Sequence, residues 1–264
     1  MGIVLITIPG DVKKQFANTL HKRTHGVDLV IVQRPKHTSF IERMGRLRQT
    51  VGLRNFPREL WYGFLLRLSN AKQTLEYFRE YTVGDPEEYI PNVMEVDSVN
   101  SDEVYAVLQK LSPNLIVVWG SSVLAPRILK TANKTINLHM GYCPYYRGKL
   151  ANQCAVLHED TAHIGATIHY AEEKVDAGRI LDVVVADLKK PPREMFRDLH
   201  DRAIAQCLDI AVRLFRRETL SAQVQDISRS ENFLFKDWTP TTRYKLAKKM
   251  LYWEQGFYEH ERGA

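Results

Sequence analysis

The stretch "INLHMGYCPYYRGK" (136–149) places two polar side chains on one alternation of an otherwise apolar segment. If the segment is a strand, Asn137 and His139 share a face, while Ile136, Leu138 and Met140 point the other way. A carboxamide beside an imidazole can act on a carbonyl. The amide N–H₂ donates to a developing oxyanion, and the imidazole moves protons or donates as imidazolium. The pair lacks a carboxylate to orient and charge the histidine. "EEKVDAG" (172–178) offers one in Asp176, in the loop after the segment that carries His169. The competing reading is structural, since polar residues gather at strand ends to bond turns and Asp-x-Gly is a common turn. On residues alone the constellation reads as an α/β enzyme candidate with carbonyl chemistry.

The elements that must position these groups are readable around them. Short Val/Ile-rich runs at Ile3–Ile8, Val27–Val32 and Leu115–Trp119 predict strands buried on both faces. Helical patterns at Val12–Lys22 and Asp102–Leu111, the second capped by Ser101, alternate with them and predict βαβ units. Residues 165–188 read as strand, loop and strand. A long helix starting near Pro192 then carries an apolar stripe of Phe196, Leu199, Ala203, Cys207, Ala211 and Leu214. Between the second and third strands, residues 40–81 place Trp61, Phe64, Leu65, Leu68, Leu75 and Phe78 at helical spacing, which predicts a helical insertion. Its Trp61 and Phe64 read as core rather than as a partner site.

Composition narrows the function classes. A chain of 264 residues, 44% hydrophobic and 26% charged, has the material for a packed core. Apolar runs are too short for a membrane span, and "GIVLITIPG" is too short for a secretory signal, so no membrane partner and a cytoplasmic location are expected. The three cysteines, Cys143, Cys154 and Cys207, show no paired spacing, so neither a disulfide framework nor a metal cluster is expected. The net charge of +6 is uneven: residues 34–72 hold 9 basic residues against 2 acidic ones. Such a patch suits phosphates or nucleic acid, or is a solvated helix face.

Three motifs in order carry a resemblance: "SPNLIVVWGSSVLAPRIL" (112–129), "INLHMGYCPYYRGK" and "GATIHYAEEKVDAGRIL" (165–181). Together they resemble the folate-dependent formyltransferases, the family of glycinamide ribonucleotide transformylase, methionyl-tRNA formyltransferase and the sugar N-formyltransferases. The resemblance implies an α/β fold: a Rossmann-like sheet with helices on both faces, the helical insertion near 40–81 and a short C-terminal appendage. It implies a catalytic domain over 1–220, with an insertion at 36–90, and a small extension over 221–264. The family's catalytic residues fall on Asn137, His139 and Asp176. The formyl donor implied is 10-formyltetrahydrofolate, against Trp119, Gly120, Ser121, Ser122, Val123, Leu124, His169 and Val175. No metal is implied, because the donor's anilino nitrogen already leaves the formyl carbon activated. The loop residues Tyr142, Pro144, Tyr146, Arg147 and Gly148 are expected to meet the acceptor, although Gly141-Tyr142-Cys143 departs from the family's usual Ser-Leu-Leu.

The acceptor expected is a phosphate-bearing small-molecule amine, foremost a nucleotide-linked amino sugar. Only some 45 residues follow the long helix, fewer than the barrel usual in methionyl-tRNA formyltransferase, so nucleic acid is not expected. "ITIPGDVKK" lacks the glycine-rich phosphate loop typical of the glycinamide ribonucleotide enzyme. The basic 34–72 stretch is expected to meet a diphosphate. A formyltetrahydrofolate hydrolase and a non-catalytic binding module are the readings from other classes. The tail helix at 241–253 is a candidate homodimer contact.

Overall fold

The computed structural model describes residues 2–36, 38–79 and 88–263. In chain order the strands are β1 (Ile3–Thr7), β2 (Val27–Gln33), β3 (Val93–Val96), β4 (Leu115–Trp119), β5 (Lys134–His139), β6 (Tyr146–Gly148), β7 (Gly165–Tyr170), β8 (Ile180–Val185) and β9 (Glu231–Phe233). The helices are α1 (Asp11–Thr24), α2 (Phe40–Leu68), α3 (Asp102–Leu111), α4 (Pro126–Leu129), α5 (Ala151–Leu157), α6 (Pro192–Phe215) and α7 (Pro240–Gly263). A 3₁₀ segment, Asn70–Phe78, follows α2.

Seven strands form one sheet in the order β3-β2-β1-β4-β5-β7-β8, and β6 pairs separately with β9. The first five are parallel, whereas β7 runs antiparallel to both β5 and β8. The chain steps outward from β1 to β2 and β3, then returns to β4 on the far side of β1. In such sheets the reversal opens a crevice beyond the carboxyl ends of the strands, where ligands bind.

Alternation explains the two covered faces. All five residues of β1 are buried. Ile3 and Leu5 join the layer built with Phe16 of α1 and Phe196 of α6. Val4 and Ile6 join the layer built with Val104 and Leu108 of α3. Each such fully buried side chain contributes about 1.5–3 kcal/mol relative to an exposed one. Ser101 caps α3 by accepting from the Val104 N–H at 3.3 Å. Every residue of the predicted α6 stripe is buried. β3 is the strand that hydropathy does not reveal, a four-residue edge strand with only Val96 buried.

The expected insertion is helical, and Phe78 stacks on Phe196 with ring centroids 4.4 Å apart. Residues 80–87 of that stretch lie outside the described residues. α2 is broken at Gly52, whose φ of 75° is left-handed. The expectation of a buried Trp61 and Phe64 is corrected: both are exposed, as is Leu68, while Leu66 is the buried residue. The periodicity is real, but the face that packs is the one bearing Glu59, Tyr62 and Leu66. Glu59 accepts from the Thr241 N–H at 2.9 Å, and Tyr62 lies 5.3 Å from Tyr244. Leu246, Ala247 and Met250 of α7 are fully buried, so α7 packs with α2 and the 3₁₀ segment as one layer. The helical stretch 40–78 and α7 are therefore built together.

Candidate active site

The alternation of β5 carries the first two groups to one place. Ile136 and Leu138 enter the core, while Asn137 and His139 turn to the opposite face. Antiparallel pairing sets Asn137 directly across from His169 on β7. The loop between β7 and β8 then folds back so that Asp176, at a left-handed φ of 47°, reaches all three. That return is tight: a Cβ on Gly178 would lie 1.8 Å from the Tyr170 carbonyl oxygen. A Cβ on Gly141 would lie 2.3 Å from His139 Nε2, so glycine is required beneath the histidine.

The polar groups are mutually bonded. Asn137 Nδ2 donates to Asp176 Oδ1 at 3.1 Å and lies 3.2 Å from His169 Nε2. His169 Nδ1 faces the Tyr170 carbonyl oxygen at 2.8 Å, which can only accept, so that nitrogen carries the proton. His139 Nε2 lies 3.0 Å from the Tyr146 carbonyl oxygen, and its Nδ1 lies 3.4 Å from Asp176 Oδ2. Both of its ring nitrogens face acceptors, an arrangement the imidazolium satisfies with both N–H groups. The Gly148 N–H donates to Asp176 Oδ2 at 2.9 Å.

Burial alone would raise the Asp176 pKa. The His139 ring, the His169 ring and the Gly148 N–H outweigh it and hold the carboxyl well below the usual carboxylate range. Asp176 is thus a largely buried anion at neutral pH. Beside it, burial and the Asp176 charge push the Cys143 thiol up to about 12, so Cys143 is not a nucleophile at neutral pH. Its Sγ donates weakly to the Asp176 carbonyl at 3.5 Å.

These groups line a cavity of about 280 Å³ at the carboxyl ends of β4 and β5. All eight residues expected at the donor, Trp119 through Leu124 with His169 and Val175, line the same cavity. Trp119 is fixed from behind, with Phe16 at 5.5 Å and Lys13 Nζ 3.6 Å from its ring centroid.

Most of the 142–148 loop lies outside this cavity. Only Gly148 lines the cavity among its five expected acceptor residues. Tyr142 turns to His163, with ring centroids 5.2 Å apart, and Pro144 follows a cis peptide. Tyr146 is buried with its hydroxyl on Asp160 at 3.0 Å. Arg147 is buried too, donating to the Val175 carbonyl at 3.0 Å and to the Ser230 hydroxyl. The loop thus braces the loop that bears Asp176. Among the described residues, the basic ones of 34–72 do not line the cavity either, and Lys149 is the lysine or arginine that does.

Several positioning groups escape sequence reasoning because they are backbone atoms, notably the Tyr146 carbonyl and the Gly148 N–H. Another lies far along the chain: Gln225 Nε2 donates to the Asp176 carbonyl at 3.1 Å. No group of three His, Cys, Asp or Glu side chains among the described residues is placed to hold a metal ion.

A family profile described as "Formyl transferase" matches residues 2–206. The chain belongs to the formyl transferase family. Methionyl-tRNA formyltransferase of Syntrophus aciditrophicus is 31% identical over 126 residues, 47% of this chain and 39% of that protein. Phosphoribosylglycinamide formyltransferase of Haemophilus influenzae is 35% identical over 92 residues, 34% of this chain and 41% of that protein. The chain thus matches well under half the length of these two curated relatives. A 4-N formyltransferase from Francisella tularensis shares the fold, with a TM-score of 0.55 at 13% identity over 90% of this chain and 78% of that one. A sugar N-formyltransferase from a Shewanella species does so at a TM-score of 0.54 and 12% identity, over 94% of this chain and 87% of that one. In this formyl transferase fold the polar cluster stands at the carboxyl ends of β4 and β5, one strand over from the sheet reversal between β1 and β4.

Proposed function

We propose that this chain transfers the formyl group of 10-formyltetrahydrofolate to a primary amine, with Asn137, His139 and Asp176 as its catalytic residues. The observation that carries the reading is the mutually bonded Asn137–His139–Asp176 cluster, which lines a cavity together with Val123, Leu124 and Met140. Apolar walls with a few convergent polar groups suit a flat ring system whose reactive end is polar. The donor, when bound, supplies a formyl carbon activated by an anilino nitrogen whose lone pair is shared with its aromatic ring. HypX from Aquifex aeolicus, crystallised with tetrahydrofolic acid, shares this fold at a TM-score of 0.50.

The residues act as follows. An acceptor nitrogen attacks the formyl carbon, and negative charge develops on the formyl oxygen. An Asn137 N–H turned from its present acceptor donates to that oxygen, and the imidazolium of His139 stabilises it electrostatically. Asp176 orients His139 and relays the amine proton; the bond from the formyl carbon to the donor nitrogen then breaks, and its electron pair and that proton stay with tetrahydrofolate. His169 holds Asn137 in register from the neighbouring strand.

For the acceptor we take a nucleotide-linked amino sugar as first choice. The single glycine of "TIPGD" after β1 speaks against a phosphoribosyl amine. Methionyl-tRNA is the second reading, favoured by the sequence relatives and the exposed arginines of α2. Release of tetrahydrofolate is to be measured with a panel of amines. Turnover with Met-tRNA or glycinamide ribonucleotide but with no nucleotide sugar sinks the first choice; no turnover with any amine sinks formyl transfer itself.

A further inference from the structure

The element that the cavity does not use is α2. After the break at Gly52 its inner face, with Glu59, Tyr62 and Leu66, packs on α7. At 3.6 residues per turn, Leu53, Leu60, Trp61, Phe64 and Leu68 fall in an arc of about 100° on the opposite side. They are 74%, 47%, 58%, 51% and 68% exposed, respectively. Solvated faces of packed helices are ordinarily polar, and a contiguous apolar stripe marks an interaction surface.

The rim of the stripe is cationic. On the same wheel Arg54 and Arg58 flank one edge and Arg67 the other, all exposed. Arg43, Arg46 and Arg48 continue the charge into the preceding half of the helix. The acidic residues of α2 are Glu42 at its start and Glu59, which is buried against α7.

We infer that the outer face of α2 docks this protein onto an anionic lipid surface. A bilayer interface answers both features together: its acyl boundary takes the apolar stripe, and its headgroup phosphates take the arginines on either edge. Tryptophan suits that depth, since its ring is apolar and its N–H polar. A second copy is a poorer occupant, because stripe-to-stripe pairing sets two arginine-rimmed helices against each other. The stripe also stands on the outside of one helix rather than in a groove, so it offers a partner helix no walls. No helix among the described residues is long and apolar enough to cross a membrane. The expectation of no membrane partner rested on that criterion, and a helix lying in the interface does not need to meet it.

Sedimentation with phosphatidylcholine vesicles, with and without phosphatidylglycerol, tests the inference. Binding is expected to be at least ~10-fold tighter to the anionic vesicles and to weaken with salt. Trp61→Ser/Phe64→Ser should lose ~10-fold or more in affinity, with a blue shift of tryptophan emission on binding present in the parent and diminished in the variant. Arg54→Gln/Arg58→Gln/Arg67→Gln should abolish the preference for anionic vesicles. Both variants alter exposed residues, and an unchanged circular dichroism spectrum and Tm establish that they are folded. Asn137→Ala should bind vesicles as the parent does, so loss of formyl transfer and loss of docking are separable. Absence of vesicle binding overturns the inference. So does vesicle binding that the double variant retains, or a stripe that serves only self-association or an acidic protein.

Discussion

The cavity end of β5 and the outer face of α2 invert the usual sorting of side chains in opposite senses. At β5, Asn137, His139, His169 and Asp176 are withdrawn from water, and each finds a partner among the others or on a nearby backbone group. Along α2, Leu53, Trp61, Phe64 and Leu68 stay in water although an apolar layer lies on the other side of the same helix. Buried polar groups and exposed apolar patches are the informative exceptions in a folded chain. The first exception is internally satisfied, so it can do chemistry without a protein partner. The second is unsatisfied, so it points outward to something else.

The largest expected break is at the cavity. Asn137→Ala should lower kcat about 10²–10³-fold, as loss of one oxyanion donor does, with thermal stability close to the parent's. Unchanged turnover would return the cluster to a structural role. Next comes Asp176→Asn, which leaves His139 without its carboxylate and should cost about 3 kcal/mol at neutral pH. The sign follows from the lowered pKa of Asp176 in the folded chain. Its contribution is fully present above the usual carboxylate range and is lost as pH falls through that range and below it. Denaturant titrations of parent and variant should therefore converge in acid; a gap that stays constant with pH contradicts the assignment.

The smaller effects separate the two faces of α2. Leu66→Ala on the inner face should cost about 2–3 kcal/mol, read from the urea midpoint. Trp61→Ser on the outer face should stay within about 0.5 kcal/mol of the parent. Equal costs at the two positions would mean that the stripe packs on the protein after all.

Much of this was legible in order along the chain. β1, β2 and β4 announce themselves because strands buried on both faces must be continuously apolar. α3 and α6 announce themselves through a serine cap, a proline start and 3.6-residue spacing. Asn137 and His139 are legible for a related reason, since period-two alternation assigns a face without any tertiary knowledge. The amphipathic period of α2 is legible too, but its orientation is not. Both of its faces carry apolar residues, and only the position of α7 decides which one packs. Tyr146 and Arg147 show the reverse case: residue types suited to a ligand are spent on Asp160, Val175 and Ser230.

By itself, then, the sequence determined the sheet-forming segments, the shared face of Asn137 and His139, and the availability of an acid in the loop at 172–178. Those follow from local periodicity and residue chemistry. Only the tertiary structure decided that His169 stands across from Asn137 and that Gly148 and Gln225 hold the Asp176 loop. It alone left one apolar stripe of α2 uncovered. Each of those depends on backbone atoms or on segments distant in the chain, and neither leaves a periodic trace in the residues themselves.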